Sequence, residues 1–101
     1  MPVVPQGYSI FVVDLHYVAT PDRIEAALAD HIEFVKANFA SGTFIASGRK
    51  ASGAGGVILA VAEKSVQLEA ILRDDPFQQL ELAEFKVTEF IPAMVAAGLE
   101  Q

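Results

Sequence analysis

Tyr8 to Tyr17 (YSIFVVDLHY) is apolar on both parities of an extended chain. Phe11, Val13, Leu15 and Tyr17 fall on one side, Ile10 and Val12 on the other, and Asp14 and His16 continue the second line. β-Branched and aromatic residues at this density predict a strand covered on both faces, with polar residues toward one end. The hydrophobic period then changes from two to about 3.6 residues. Thr20-Pro21-Asp22 reads as a helix start: a hydroxyl N-cap, proline at the first helical position, and an acid in the first turn. Ile24, Ala27, Leu28, His31, Phe34, Val35 and then Ala37 or Asn38 form one stripe up to about Ala40. Ser41-Gly42 stops that helix.

Thr43 to Ser47 (TFIAS) predicts a second strand and Gly56 to Ala62 (GVILAVA) a third, apolar throughout and therefore central. The short glycine- and serine-containing connection over 48–55 makes them a hairpin. Ser65 is expected to cap a short helix with Leu68, Ile71 and Leu72 on its apolar face. Asp74-Asp75-Pro76-Phe77 interrupts it, and residues 76 to 81 should form a further turn with Asp75 as cap and Pro76 first. Leu82 to Ile91 is the last strand, and 92 to 99 reads as a short helical tail.

The order β-α-β-β-α-β predicts an α+β ferredoxin-like fold with a four-stranded antiparallel sheet. One domain, 1–101, is expected, with its core over about 8–91 and a tail over 92–101. Its helices pack on one sheet face, yet the first and third strands are apolar on both. The chain is 52% hydrophobic, with a mean hydropathy of +0.38. A monomer of 101 residues has little room to hide that much apolar surface. A membrane is a poor cover, because ionic residues such as Asp14, Glu63 and Glu89 interrupt every apolar run. A second copy packed sheet on sheet is the simplest one, so a homodimer is expected, or a larger assembly built from it. The N-terminal Met1-Pro2-Val3-Val4-Pro5 has no basic region and no signal-like core, and the expectation is a cytoplasmic protein.

Charge and cysteine narrow the chemistry. The net charge of −6 disfavours nucleic acid as a partner, because phosphate binding needs a clustered positive surface. The absence of cysteine excludes disulfides, thiolate nucleophiles and thiolate zinc sites. His31, on the helix stripe, is either a structural core histidine or a general acid–base. Asp75 is a helix cap, or a carboxylate that also orients an imidazole. Asp14 and His16 share a strand face, as a metal pair, a second acid–base pair or a polar sheet rim. Ser47 lacks the Gly-x-Ser-x-Gly setting of a nucleophile and reads as a hydrogen-bond donor to a ligand or a strand-end residue. Gly53-Ala54-Gly55-Gly56 precedes a strand instead of opening a helix, so it reads as a hairpin loop and not a phosphate cradle. Arg49 and Lys50 attract an anionic substrate at the rim or are solvated loop charges.

His31, Gly42, Ser47-Gly48, Gly56 and Asp75-Pro76-Phe77 together resemble the YCII-related (YciI-like) family, over about residues 8 to 91. The resemblance implies a dimeric α/β barrel of two face-to-face sheets. It also implies a pocket in which His31 meets Asp75, with chemistry of lyase or isomerase type on small oxygenated rings and no organic cofactor. One branch of the family resembles dehydrochlorinases of chlorinated hydroxyquinols, and fold relatives include muconolactone isomerase. Arg49 stands where the family often has proline, and Ala29-Asp30 lack a basic residue often seen before the helix histidine. His31 and Asp75 are therefore the expected catalytic pair. Ser47, Gly48, Arg49, Phe77, Asp14 and His16 are the expected contacts to a small-molecule ligand. The alternative is a non-catalytic binding or accessory dimer.

Overall fold

The computed structural model describes residues 2–99. In chain order the elements are β1 (Ser9–Tyr17), α1 (Pro21–Ala40), β2 (Phe44–Arg49), β3 (Gly55–Ala62), α2 (Ser65–Leu72), α3 (Pro76–Gln79) and β4 (Ala83–Phe90). The strands form one antiparallel sheet in the order β2-β3-β1-β4, the ferredoxin-like arrangement. The two most apolar strands, β1 and β3, are the central ones, as their patterns require.

Antiparallel pairing gives each rung of the sheet one face. Phe11, Val13 and Leu15 point to the helices and are at most 2% exposed. Beside them in register lie Ala60, Ile58 and Gly56 of β3, and Val87 and Phe85 of β4. On β2 the register slips between Phe44 and Ala46. This bulge changes the parity of the strand. Phe44, Ser47 and Arg49 consequently share the helix-facing side, opposite Ala60, Ile58 and Gly56. The core between sheet and helices is closed by Ile24 and Ala27 of α1, Leu68 and Leu72 of α2, Phe77 of α3, and Leu82.

The other face carries Ile10, Val12, Asp14 and His16 of β1, with Val61, Leu59 and Val57 of β3. One end of it is covered by the chain itself. Val4 is buried against Ile10 and Val61, with Val3, Tyr8, Ile45 and Val95 around them. Val4 N–H also donates to Leu99 O at 2.8 Å, which ties the two terminal segments together. The rest of the face, around Val12, Val57 and Leu59, is only partly covered by the described residues.

Several local expectations are corrected. Thr20 occupies the N-cap of α1, but its hydroxyl makes no capping bond. Ser65 is the first residue of α2 and not its cap. The cap is Lys64, whose N–H donates to Gln67 Oε1 at 3.1 Å. The tail over 92–99 forms a bend and a turn instead of a helix, because Val95 and Leu99 are drawn to the N-terminal segment. The last two residues of the expected tail lie outside the described residues.

Candidate functional site

The site is assembled where α1 crosses the junction between α2 and α3. Proline at 76 sets the backbone angle of the first turn of α3 and has no N–H to satisfy. Asp75, just before it, has extended backbone and accepts the Phe77 N–H at its Oδ1, 2.9 Å away. This Asx cap fixes the carboxylate, and Asp75 is fully buried. From the middle of α1, His31 Nδ1 reaches the same Oδ1 at 2.8 Å. Burying a carboxylate is costly unless hydrogen bonds compensate it. Oδ1 has two donors, whereas Oδ2 has none among the described residues.

The imidazole is held on its face as well as its edge. Phe77 stacks on it with ring centroids 4.0 Å apart and planes within 3°. Tyr17 in turn meets Phe77 edge to face at 5.8 Å. Phe34, one turn along α1, lies with its ring centroid 6.5 Å from that of the imidazole. An ionised carboxylate only accepts hydrogen bonds, so a neutral imidazole paired with one carries its proton on Nδ1 and keeps a lone pair on Nε2. The His31 side chain is 14% exposed.

His31 opens onto a cleft of about 430 Å³ between α1 and the β2–β3 hairpin. Its walls are apolar, formed by residues such as Leu15, Leu28, Val35 and Ile58, and its polar lining includes His31, Lys36, Ser47 and Arg49. Gly48 adds backbone to the rim. A larger hollow, about 660 Å³, lies between the terminal segments and shares no residue with this cleft. It holds Glu63 and Glu89 but no histidine.

The structure thus brings His31, Asp75, Ser47, Gly48 and Arg49 to one place. It separates the other expected ligand contacts from them. Phe77 is 1% exposed and lies against the imidazole, so it supports the ring and offers no face to a ligand. Asp14 and His16 project from the opposite sheet face, because their parity on β1 is that of Ile10 and Val12. Asp14 is engaged by Lys50 Nζ at 2.6 Å. Among the described residues no three histidine, aspartate or glutamate side chains gather as a metal site, so Asp14 and His16 have no third ligand. Lys36 also lines the cleft and is not among the residues that the sequence points to. Its signal is the four-residue step from Ile32, which places both along the cleft edge of α1.

Residues 8–91 match the YCII-related domain. The chain belongs to the YCII-related family. No curated protein matches it. Among solved structures, it is similar to a 5-chloro-2-hydroxyhydroquinone dehydrochlorinase from Burkholderia phenoliruptrix, solved with 2,5-dihydroxybenzoquinone. The TM-score there is 0.68 at 16% identity, covering 81% of this chain and 93% of the other. A protein of unknown function from Bacteroides thetaiotaomicron, described as a possible oxidoreductase, gives a TM-score of 0.57 at 17% identity, with 82% and 95% covered. SnoaB, a cofactor-independent oxygenase from Streptomyces nogalater, gives 0.50 at 14% identity, with 90% and 98% covered. At these identities the likeness shows the shared fold of this YCII-related chain. No helix among the described residues is long and apolar enough to cross a membrane.

Proposed function

We propose that this YCII-related protein is a homodimeric enzyme that uses no organic cofactor and moves a proton on a small oxygenated, ring-derived molecule. The reaction is of lyase or isomerase type. Nε2 of His31 takes the proton and returns it, Asp75 holds the ring through Nδ1, and Ser47 donates a hydrogen bond to a substrate oxygen. The reading is carried by one observation: a cleft-lining histidine bonded at 2.8 Å to a fully buried carboxylate. Capping α3 needs only the bond to Phe77 N–H, so the second bond, to His31, has a use beyond the cap. The chemistry of the dehydrochlorinase neighbour is compatible with such a pair.

The test is chloride release from 5-chloro-2-hydroxyhydroquinone, with exchange of acidic C–H for solvent deuterium in hydroxyquinols and unsaturated lactones followed by NMR. Wild type should catalyse one of these, and His31→Ala should lower the rate at least about a hundredfold while the protein stays folded. Survival of the rate in His31→Ala would refute the dyad. The second reading, a ligand-binding or accessory dimer, is favoured by the apolar walls of the cleft. It would be supported by ligand binding without turnover of any probe.

A further inference from the structure

We propose that Arg49 and Lys36 make the cleft selective for an organic anion: a flat, apolar body that carries a carboxylate or a comparable oxyanion. This rests on the reading above only in taking the cleft as the substrate site. The chain has 13 acidic and 7 basic residues, so a random stretch of its surface is negative. The cleft reverses that balance. Lys36 and Arg49 line it and, among the described residues, no aspartate or glutamate does. Asp75, the carboxylate of the dyad, is fully buried and bonded to the imidazole.

Strand geometry separates two cations that are adjacent in sequence. Lys50 is neutralised by Asp14 at 2.6 Å on the open side of the sheet. Arg49 is turned by the β2 bulge to the helix side, in register with Gly56. Neither Arg49 nor Lys36 has an ion-pair partner among the described residues. Lys36 lies five residues beyond His31 on α1, about 7.5 Å along the axis. The cation and the proton-transferring nitrogen therefore address different parts of one bound molecule.

A guanidinium fork matches a carboxylate, and a lysine stem can lie along an apolar wall with its ammonium at the mouth. One sign of charge beside low-dielectric walls also concentrates counter-ions at the entrance. The walls then select among anions. Leu15, Leu28, Val35 and Ile58 favour a hydrophobic ring over a bare inorganic ion.

The experiment is calorimetric binding of para-hydroxybenzoate and of its neutral amide, at low salt, to the full chain. The anion should bind at least tenfold more tightly than the amide, and the preference should shrink as salt is raised. Arg49→Gln with Lys36→Gln should erase the preference by weakening binding of the anion at least tenfold more than binding of the amide. Inorganic phosphate should not displace the benzoate at equal concentration. Equal affinity of the two probes, a preference that survives the double substitution, effective competition by phosphate, or no binding of either probe at millimolar concentration would each overturn the proposal. His31→Gln separates the two readings. Retained turnover in that variant sinks the dyad, while the anion preference is measured by binding alone and stands or falls independently.

Discussion

His31 Nδ1 lies 2.8 Å from Asp75 Oδ1, the same oxygen that accepts the Phe77 amide at 2.9 Å. One atom therefore caps a helix and orients an imidazole. The neutral ring must be the Nδ1–H tautomer, since the carboxylate has no proton to give. Nitrogen-resolved NMR of the histidine ring should show a protonated, hydrogen-bonded Nδ1 and an unprotonated Nε2. A neutral ring protonated at Nε2 would remove the proposed base.

Replacing Asp75 by asparagine separates the cap from the charge. Asparagine caps nearly as well as aspartate, so stability should change by less than about 1 kcal/mol. With its amide oxygen in the place of Oδ1 it still accepts from Phe77 N–H and from Nδ1–H, but it carries no charge to stabilise the imidazolium that forms when Nε2 takes the proton. Activity should fall about ten- to a hundredfold, the loss expected when a charge-assisted hydrogen bond becomes a neutral one. Rates and thermal melts on the same preparation decide it. Large loss of stability with little loss of rate would mean that Asp75 is a cap alone.

Phe77 carries the ring from behind, stacked at 4.0 Å. Phe77→Leu keeps the site apolar but removes the flat support. It should cost about 1–2 kcal/mol, less than the 3–5 of truncation to alanine. The turnover number should fall while KM changes little, because the lost contact acts on the imidazole and not on the ligand. An unchanged rate would make the stack a packing contact only.

The strands and main helices were readable because their patterns are local: β1 and β3 are apolar on both parities, and α1 bears a long stripe ended by Gly42. His31 was legible as a polar residue on that stripe, and Asp75 through the proline after it. The face of Ser47 and Arg49 was not. Strand alternation alone would set both against Phe44, and the bulge between Phe44 and Ala46 reverses them. Asp14 and His16 read as site residues in the sequence because strand parity does not say which face the helices take. The C-terminal segment looked helical from its small and apolar residues, but long-range contacts with Val4 decide its path.

Gly55 is required by packing and not by a special backbone angle. A Cβ there would stand 1.8 Å from Leu15 O and 2.8 Å from Leu15 C, both backbone atoms of the paired strand. Gly55→Ala must push β1 and β3 apart at the His16 rung. Overpacking of this kind costs about 1–3 kcal/mol, or roughly 4–20 °C in Tm for a domain of this size. Gly48→Ala, with nothing within 4 Å of its Cβ, is the control and should melt close to wild type. Equal melting of the two variants would show that the strands separate without cost.

The uncovered sheet face supports the homodimer proposed above, and Leu59 is the place to test it. The terminal segments cover only the end around Ile10 and Val61. Val12, Val57 and Leu59 remain partly open in the middle, while Phe90, Ile91 and Met94 are 44, 84 and 90% exposed beyond them. Those residues extend the apolar surface toward the C-terminal segment, and such a surface favours association in water. Light scattering at micromolar concentration should give twice the 10.8 kDa chain mass. Leu59→Glu would bury a carboxylate without a partner at the centre of the contact, and should weaken association at least about a hundredfold. Glu33→Lys, on the exposed side of α1, should stay dimeric. A wild-type monomer, or a Leu59→Glu dimer as tight as wild type, would mean that something other than a second copy covers this face.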